Sequence, residues 1–140
     1  FSDKREVLFN GSHELQERWV GGIALAPPGA GPMAALCAGL DGVADLFADR
    51  LPFAKVRSRI IAAHPDLQER ELIKLQSLAG ALQDALVDRG VPVHGAVLAS
   101  QAGVTVFHVA FARWLEQDDP ASFRRLIDDS LAELRSVTAT

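Results

Sequence analysis

GVPVHGAVLASQAGVTVFHVAFA, residues 90–112, is the stretch whose reading decides the fold. It lies between Arg89 and Arg113 and holds no Asp, Glu, Lys or Arg, although 23% of the chain is charged. Its length permits a membrane span. Its content argues against one: His94, Ser100, Gln101, Thr105 and His108 are polar, and Gly90, Pro92, Gly95 and Gly103 dilute the apolar residues. A helix buried on more than one side fits this composition better. Ala99, Gly103, Val106 and Ala110 recur at helical spacing, and small residues in such a row let another helix approach closely. The row predicts a helix–helix seam, read here as one face of a dimer interface. Gln101, Thr105 and His108 fall on the opposite side. Burying them is costly without partners, so they either line a cavity or hydrogen-bond to neighbouring helices.

Working outward, no stretch alternates with period two, and the pattern predicts six helices and no sheet. The first covers about Asp3 to Ala24, with Ser2 as its cap, Leu8, Leu15, Trp19 and Ile23 on one face, and Asn10-Gly11-Ser12 as a kink or break. APPGAGP, residues 26–32, is the clearest connector. Pro32 suits the first turn of a second helix, along which Met33, Leu36, Cys37, Leu40, Val43, Ala44 and Phe47 form a stripe. Pro52 opens a short third helix carrying Phe53, Val56, Ile60 and Ile61. His64-Pro65-Asp66 closes it and opens a fourth, with Leu72, Leu75, Ala79, Leu82 and Leu86 as its apolar stripe and Arg89-Gly90 as its stop. The fifth is the quoted run, extended to about Gln117. Asp119-Pro120 caps and starts the sixth, which reaches about Ser136 with Phe123, Ile127, Leu131 and Leu134 near one face.

Composition bounds the rest. The 140 residues are 49% hydrophobic, enough for one domain with a real core. A net charge of −4 argues against nucleic-acid binding by the chain's own surface. Cys37 is the only cysteine, so no disulfide forms within the chain, and a cytoplasmic location is the default expectation. No basic-then-apolar leader is visible, so no signal peptide is expected, and the first residue is Phe rather than Met, so the start reads as a cut.

The search for chemistry returns little. HELQE at residues 13–17 lacks the second histidine of the zinc-protease pattern and reads as a solvated face. His13, His64, His94 and His108 are scattered and show no ligand spacing, so no metal or cofactor is expected. Ser100 and His108 stand about 12 Å apart along a helix and form no nucleophile–base pair. Cys37 lies on the stripe of the second helix and reads as a small core residue. The NGS at residues 10–12 matches a glycosylation sequon, silent without secretion. Arg57 sits among Phe53, Val56, Ile60 and Ile61, placed to bind an acidic ligand group or an internal carboxylate, with solvent exposure as the plain alternative. Glu69, Arg70, Glu71 and Lys74 read as an ordinary solvated face.

Three stretches resemble the C-terminal regulatory part of TetR-family transcriptional regulators. FSDKREVLF, residues 1–9, is similar to the junction after that family's helix-turn-helix, through Phe1, Lys4, Val7 and Leu8. RSRIIAAHPDLQERELIKL, residues 57–75, is similar to its arginine-rich short helix, proline corner and following helix. FARWLEQDDPASFRRLIDDSLAEL, residues 111–134, resembles the end of its eighth helix, a turn and its last helix. The resemblance implies an all-α regulatory domain over residues 10–140, with residues 1–9 as a remnant of the junction. It also implies a homodimer whose last two helices pair in a four-helix bundle, and a small, largely hydrophobic effector held in each subunit. Operator DNA would be read only by an upstream head, of which Lys4 is the one position here that matches a phosphate contact. On this reading Ala99, Gly103, Val106, Ala110, Phe123, Ile127, Leu131 and Leu134 meet the partner, while Leu40, Phe47, Phe53, Arg57, Gln101, Thr105 and His108 line the effector cavity. The chain is then not an enzyme. A helical enzyme using His108 and a ligand-free dimeric module remain the alternatives.

Overall fold

The computed structural model describes residues 11–139; Lys4, Phe1, Val7, Leu8 and the Ser2 cap fall outside them. The described residues form six α-helices and no strand. They are α1 (Gly11–Ala24), α2 (Pro32–Phe47), α3 (Leu51–Ala62), α4 (Pro65–Asp88), α5 (Val93–Trp114) and α6 (Phe123–Thr138). The all-α expectation therefore holds.

Local chemistry sets the boundaries. Pro32, Pro52 and Pro65 stand in the first turns of α2, α3 and α4, where a missing N–H costs nothing. Gly90, with φ of 96°, ends α4 in a Schellman turn: its N–H donates to the Val87 carbonyl at 2.8 Å, and that of Val91 to Leu86 at 3.1 Å. Asp119 caps the next element through its carboxylate, which accepts from the Ala121 N–H at 3.0 Å. Pro120–Ser122 is a 3-10 turn, so α6 proper starts at Phe123, three residues later than expected. α5 ends at Trp114 rather than Gln117. Gly11 and Ser12 form the first turn of α1, and the expected break at Asn10-Gly11-Ser12 reaches outside the described residues.

One core joins all six helices, α3 entering through Leu51 and Ala54. Trp19 and Trp114 are both fully buried, and both satisfy their indole N–H groups: Trp19 donates to the Leu36 carbonyl and Trp114 to that of Pro120, each at 3.0 Å. Trp114 stacks on Phe123 with centroids 4.9 Å apart, and Phe47 contacts Phe107, Phe111, Trp114 and Phe123. α1 and α2 cross at Gly22 and Gly39; a methyl group on Gly22 would reach 2.5 Å from the Gly39 Cα. Arg89 ties the end of α4 to the α1–α2 connector, donating to the carbonyls of Ile23, Ala26 and Pro27 at 3.1, 3.0 and 2.6 Å.

Two readings of the apolar faces change. On α4 the buried stripe is Leu78, Ala79, Leu82, Ala85 and Leu86, with Leu75 half-buried and Leu72 exposed. On α5 the small-residue row does not face outward. Ala99, Gly103, Val106 and Ala110 are buried inside the subunit, and a methyl group on Gly103 would meet the Leu36 side chain at 3.3 Å and Trp19 at 3.5 Å. The small residues admit this chain's own α1 and α2, so they are not free to meet a second subunit. Phe123, Ile127 and Leu131 of α6 are likewise core residues, and Leu134 is half-buried against the core. Gln101 and Thr105 face outward, and His108 is exposed toward the side where α1, α3 and α4 approach α5. By length and composition α5 could cross a membrane, and 44% of its most apolar window is buried in the bundle.

Candidate cavity between four helices

A cavity of about 570 Å³ opens where α1, α3, α4 and α5 meet. Its apolar lining comes from each side of the bundle. α1 contributes Leu15, the end of α2 Phe47, α3 Phe53 and Ala54, α4 Leu75 and Leu78, and α5 Phe107 and Phe111. The helical repeat accounts for the pairs: Leu75 and Leu78 are three residues apart and Phe107 and Phe111 four apart, so each pair shares a face. The aromatic cluster behind the cavity fixes Phe47, Phe107 and Phe111, with centroids 5.6–6.3 Å apart.

The polar lining is already largely neutralised. Arg57 donates to both oxygens of Glu71, with Nη2–Oε2 at 2.6 Å and Nη1–Oε1 at 3.4 Å. This two-point pair joins α3 to α4, and with Arg57 only 16% exposed it is the best-shielded ion pair among the described residues. Of the two roles open to Arg57, it takes the internal carboxylate. Arg50 faces Glu14 at 3.5 Å, and His13 faces Glu17 at 2.8 Å within α1. Lys74 also lines the cavity. Among the described residues no carboxylate lies within ion-pair distance of it.

Of the residues the sequence assigns to a ligand, Phe47, Phe53, Arg57 and His108 line this cavity. The other three do not. Leu40 is sealed in the core, and Gln101 and Thr105 lie on the outer surface of α5, where the Thr105 hydroxyl donates to the Gln101 carbonyl at 3.0 Å. Lys74, His13 and Glu14 are exposed, as the solvated-face readings expect, and they border the cavity at its rim; Glu71 departs from that reading, half-buried and paired with Arg57. Phe107 and Phe111 were legible as apolar, but their direction was not.

The other reactive groups stand apart. Ser100 is fully buried and donates to the Val97 carbonyl at 3.0 Å, away from His108. Among the described residues no three His, Cys, Asp or Glu side chains gather as a metal site. Cys37 is half-buried beside the core, and burial pushes its thiol pKa up; Asp41 and Asp128 add to this and Arg135 opposes it. Compared with protein-family models and with curated protein sequences, the chain matches none.

Proposed function

We propose that this chain is the effector-binding and dimerisation domain of a TetR-like transcriptional regulator, with DNA read by a head upstream of Phe1. The observation that carries this reading is the cavity: about 570 Å³, walled by four phenylalanines and three leucines from five helices, with charged groups at its edge. Small-molecule sites have this size and this mix of apolar wall and few polar groups. The similarity of residues 57–75 and 111–134 to that family supports the same reading from the sequence.

The dimer contact belongs on the outer face of α5. Val97, Leu98, Gln101, Thr105 and Val109 are exposed there, Leu98 at 74%, and no charged residue lies between Arg89 and Arg113. An uncharged helix face of this length suits a helix-on-helix contact between two copies. That face also favours the second reading, a dimeric module with no ligand.

Two measurements test the proposal. Sedimentation of the chain should give a dimer at micromolar concentration, and Leu98→Glu with Val109→Glu should give a folded monomer. The longer protein that includes the segment upstream of Phe1 should bind duplex DNA with a salt dependence set by phosphate contacts. A monomeric wild-type chain refutes the dimer. A longer protein that does not bind DNA refutes the regulator.

A further inference from the structure

Resting on the reading of the cavity as an effector site, we infer that its occupant is an amphipathic organic anion: a ring-based apolar body with one negatively charged head, held near Lys74. The argument is a charge balance over the lining. Arg50 is matched by Glu14 and Arg57 by Glu71. Lys74 is left over, three residues from Glu71 on α4 and adjoining Leu75. Lys74 is exposed at the rim and among the described residues has no carboxylate within ion-pair distance, so the lysine and arginines of the described lining outnumber its carboxylates by one. A neutral ligand would leave that charge unused. A cation would sit beside it unfavourably. An anion gains both the ammonium and an apolar wall that covers its body.

The Arg57–Glu71 pair sharpens the choice. Its two-point geometry leaves Glu71 little capacity to attract a cationic ligand, and it keeps Arg57 from acting as the primary anchor. Phe107 and Phe111 offer edges and faces to rings on the α5 side. The head group is therefore expected at α4 and the body at α5.

The test uses two fluorescent probes that share one ring system: anilinonaphthalene sulfonate, which carries the charge, and phenylnaphthylamine, which lacks it. The sulfonate should bind at one site per chain, and more weakly as salt is raised. Lys74→Met should weaken it by about three- to tenfold and leave the neutral probe unchanged. Lys55→Met, which removes a lysine paired with Asp118 outside the cavity, should change neither. Leu75→Trp, which fills the cavity from α4, should abolish both, with circular dichroism verifying that each variant is folded. If Lys74→Met alters both probes equally, or neither, the anion inference falls while the cavity stands. If folded Leu75→Trp binds both probes like wild type, the cavity is not the site and the underlying reading falls with it.

Discussion

Replacing Gly39 by Ala adds one methyl group where α1 and α2 cross. Its carbon would lie 2.6 Å from the Trp19 carbonyl oxygen and closer still to the Trp19 ring. Ordinary contact begins near 3.4 Å, so the helices must separate by at least ~0.8 Å or tilt. Overpacking of this kind costs about 1–3 kcal/mol. The same shift strains the 3.0 Å bond from the Trp19 indole to the Leu36 carbonyl, and a buried donor left unpaired costs about 1–3 kcal/mol more. Against this, Ala is favoured over Gly within a helix by about 1 kcal/mol. The expected net loss is about 3 kcal/mol, which for a domain of this size lowers Tm by roughly 10 °C. Gly80 is the control. It lies inside α4 with nothing within 4 Å of an added methyl group, so Gly80→Ala should gain about 0.5–1 kcal/mol. Thermal melts by circular dichroism, with urea titration to extract free energies, measure both. If Gly39→Ala is neutral or stabilising, the close crossing of α1 and α2 is wrong, and with it the placement of α1 against the cavity.

Gly103→Arg should unfold the subunit rather than split a dimer, because it drives a guanidinium against Leu36 and Trp19; a loss above about 3 kcal/mol is expected, and a folded monomeric variant would return the small-residue row to an intersubunit seam. Arg57→Met should cost about 1–3 kcal/mol by leaving the half-buried Glu71 carboxylate without its two-point partner; an unchanged urea midpoint at neutral pH would mean the pair is idle. The Cys37 thiol should alkylate more slowly than free cysteine, because burial raises its pKa and thins the thiolate. The native state then holds this proton more tightly than the unfolded chain, so stability should fall as pH rises above about 8.5, and the Cys37→Ala variant should lose that part of the fall.

The parts of the fold that were legible are those governed by local rules. Pro32, Pro52, Pro65 and Asp119-Pro120 mark helix starts because a proline ring fixes φ and lacks a donor wherever it stands. Gly90 marks a stop because its backbone torsion suits glycine. The stripe of α2 was legible too, since Leu36, Leu40, Val43 and Ala44 repeat on a helix with a polar opposite side. Leu72 failed by the same logic. It fits the periodicity of α4 through Leu75 and Ala79, but periodicity says only which residues share a face. Whether a neighbour covers that face depends on tertiary packing, and at Leu72 none does. The cavity was half legible for a related reason. Phe47, Phe53, Arg57 and His108 converge from three helices, α2, α3 and α5, whereas Lys74 and Glu71 gain their meaning only from Arg57, fourteen or more residues away.

α5 shows where periodicity gives no sign at all. Its two sides are both uncharged, so hydrophobicity separates them weakly, and the choice fell on residue size. Small residues at Ala99, Gly103, Val106 and Ala110 predict a close helix neighbour, and one is present: α2, with the Trp19 ring of α1 beside it. What size cannot say is whether that neighbour belongs to the same chain. The energetics decide it. Trp19 and Leu36 are among the largest fully buried side chains, and they can be sealed only if a helix without bulk at Gly103 lies over them. Given to a partner, that row would leave an indole and a leucine uncovered in each subunit, at about 1.5–3 kcal/mol for a large apolar side chain. The outer side carries the opposite mixture, Leu98 and Val109 among Gln101 and Thr105. Such a face tolerates water when free and packs when paired, which is why the proposed dimer contact is assigned to it and not to the small-residue row.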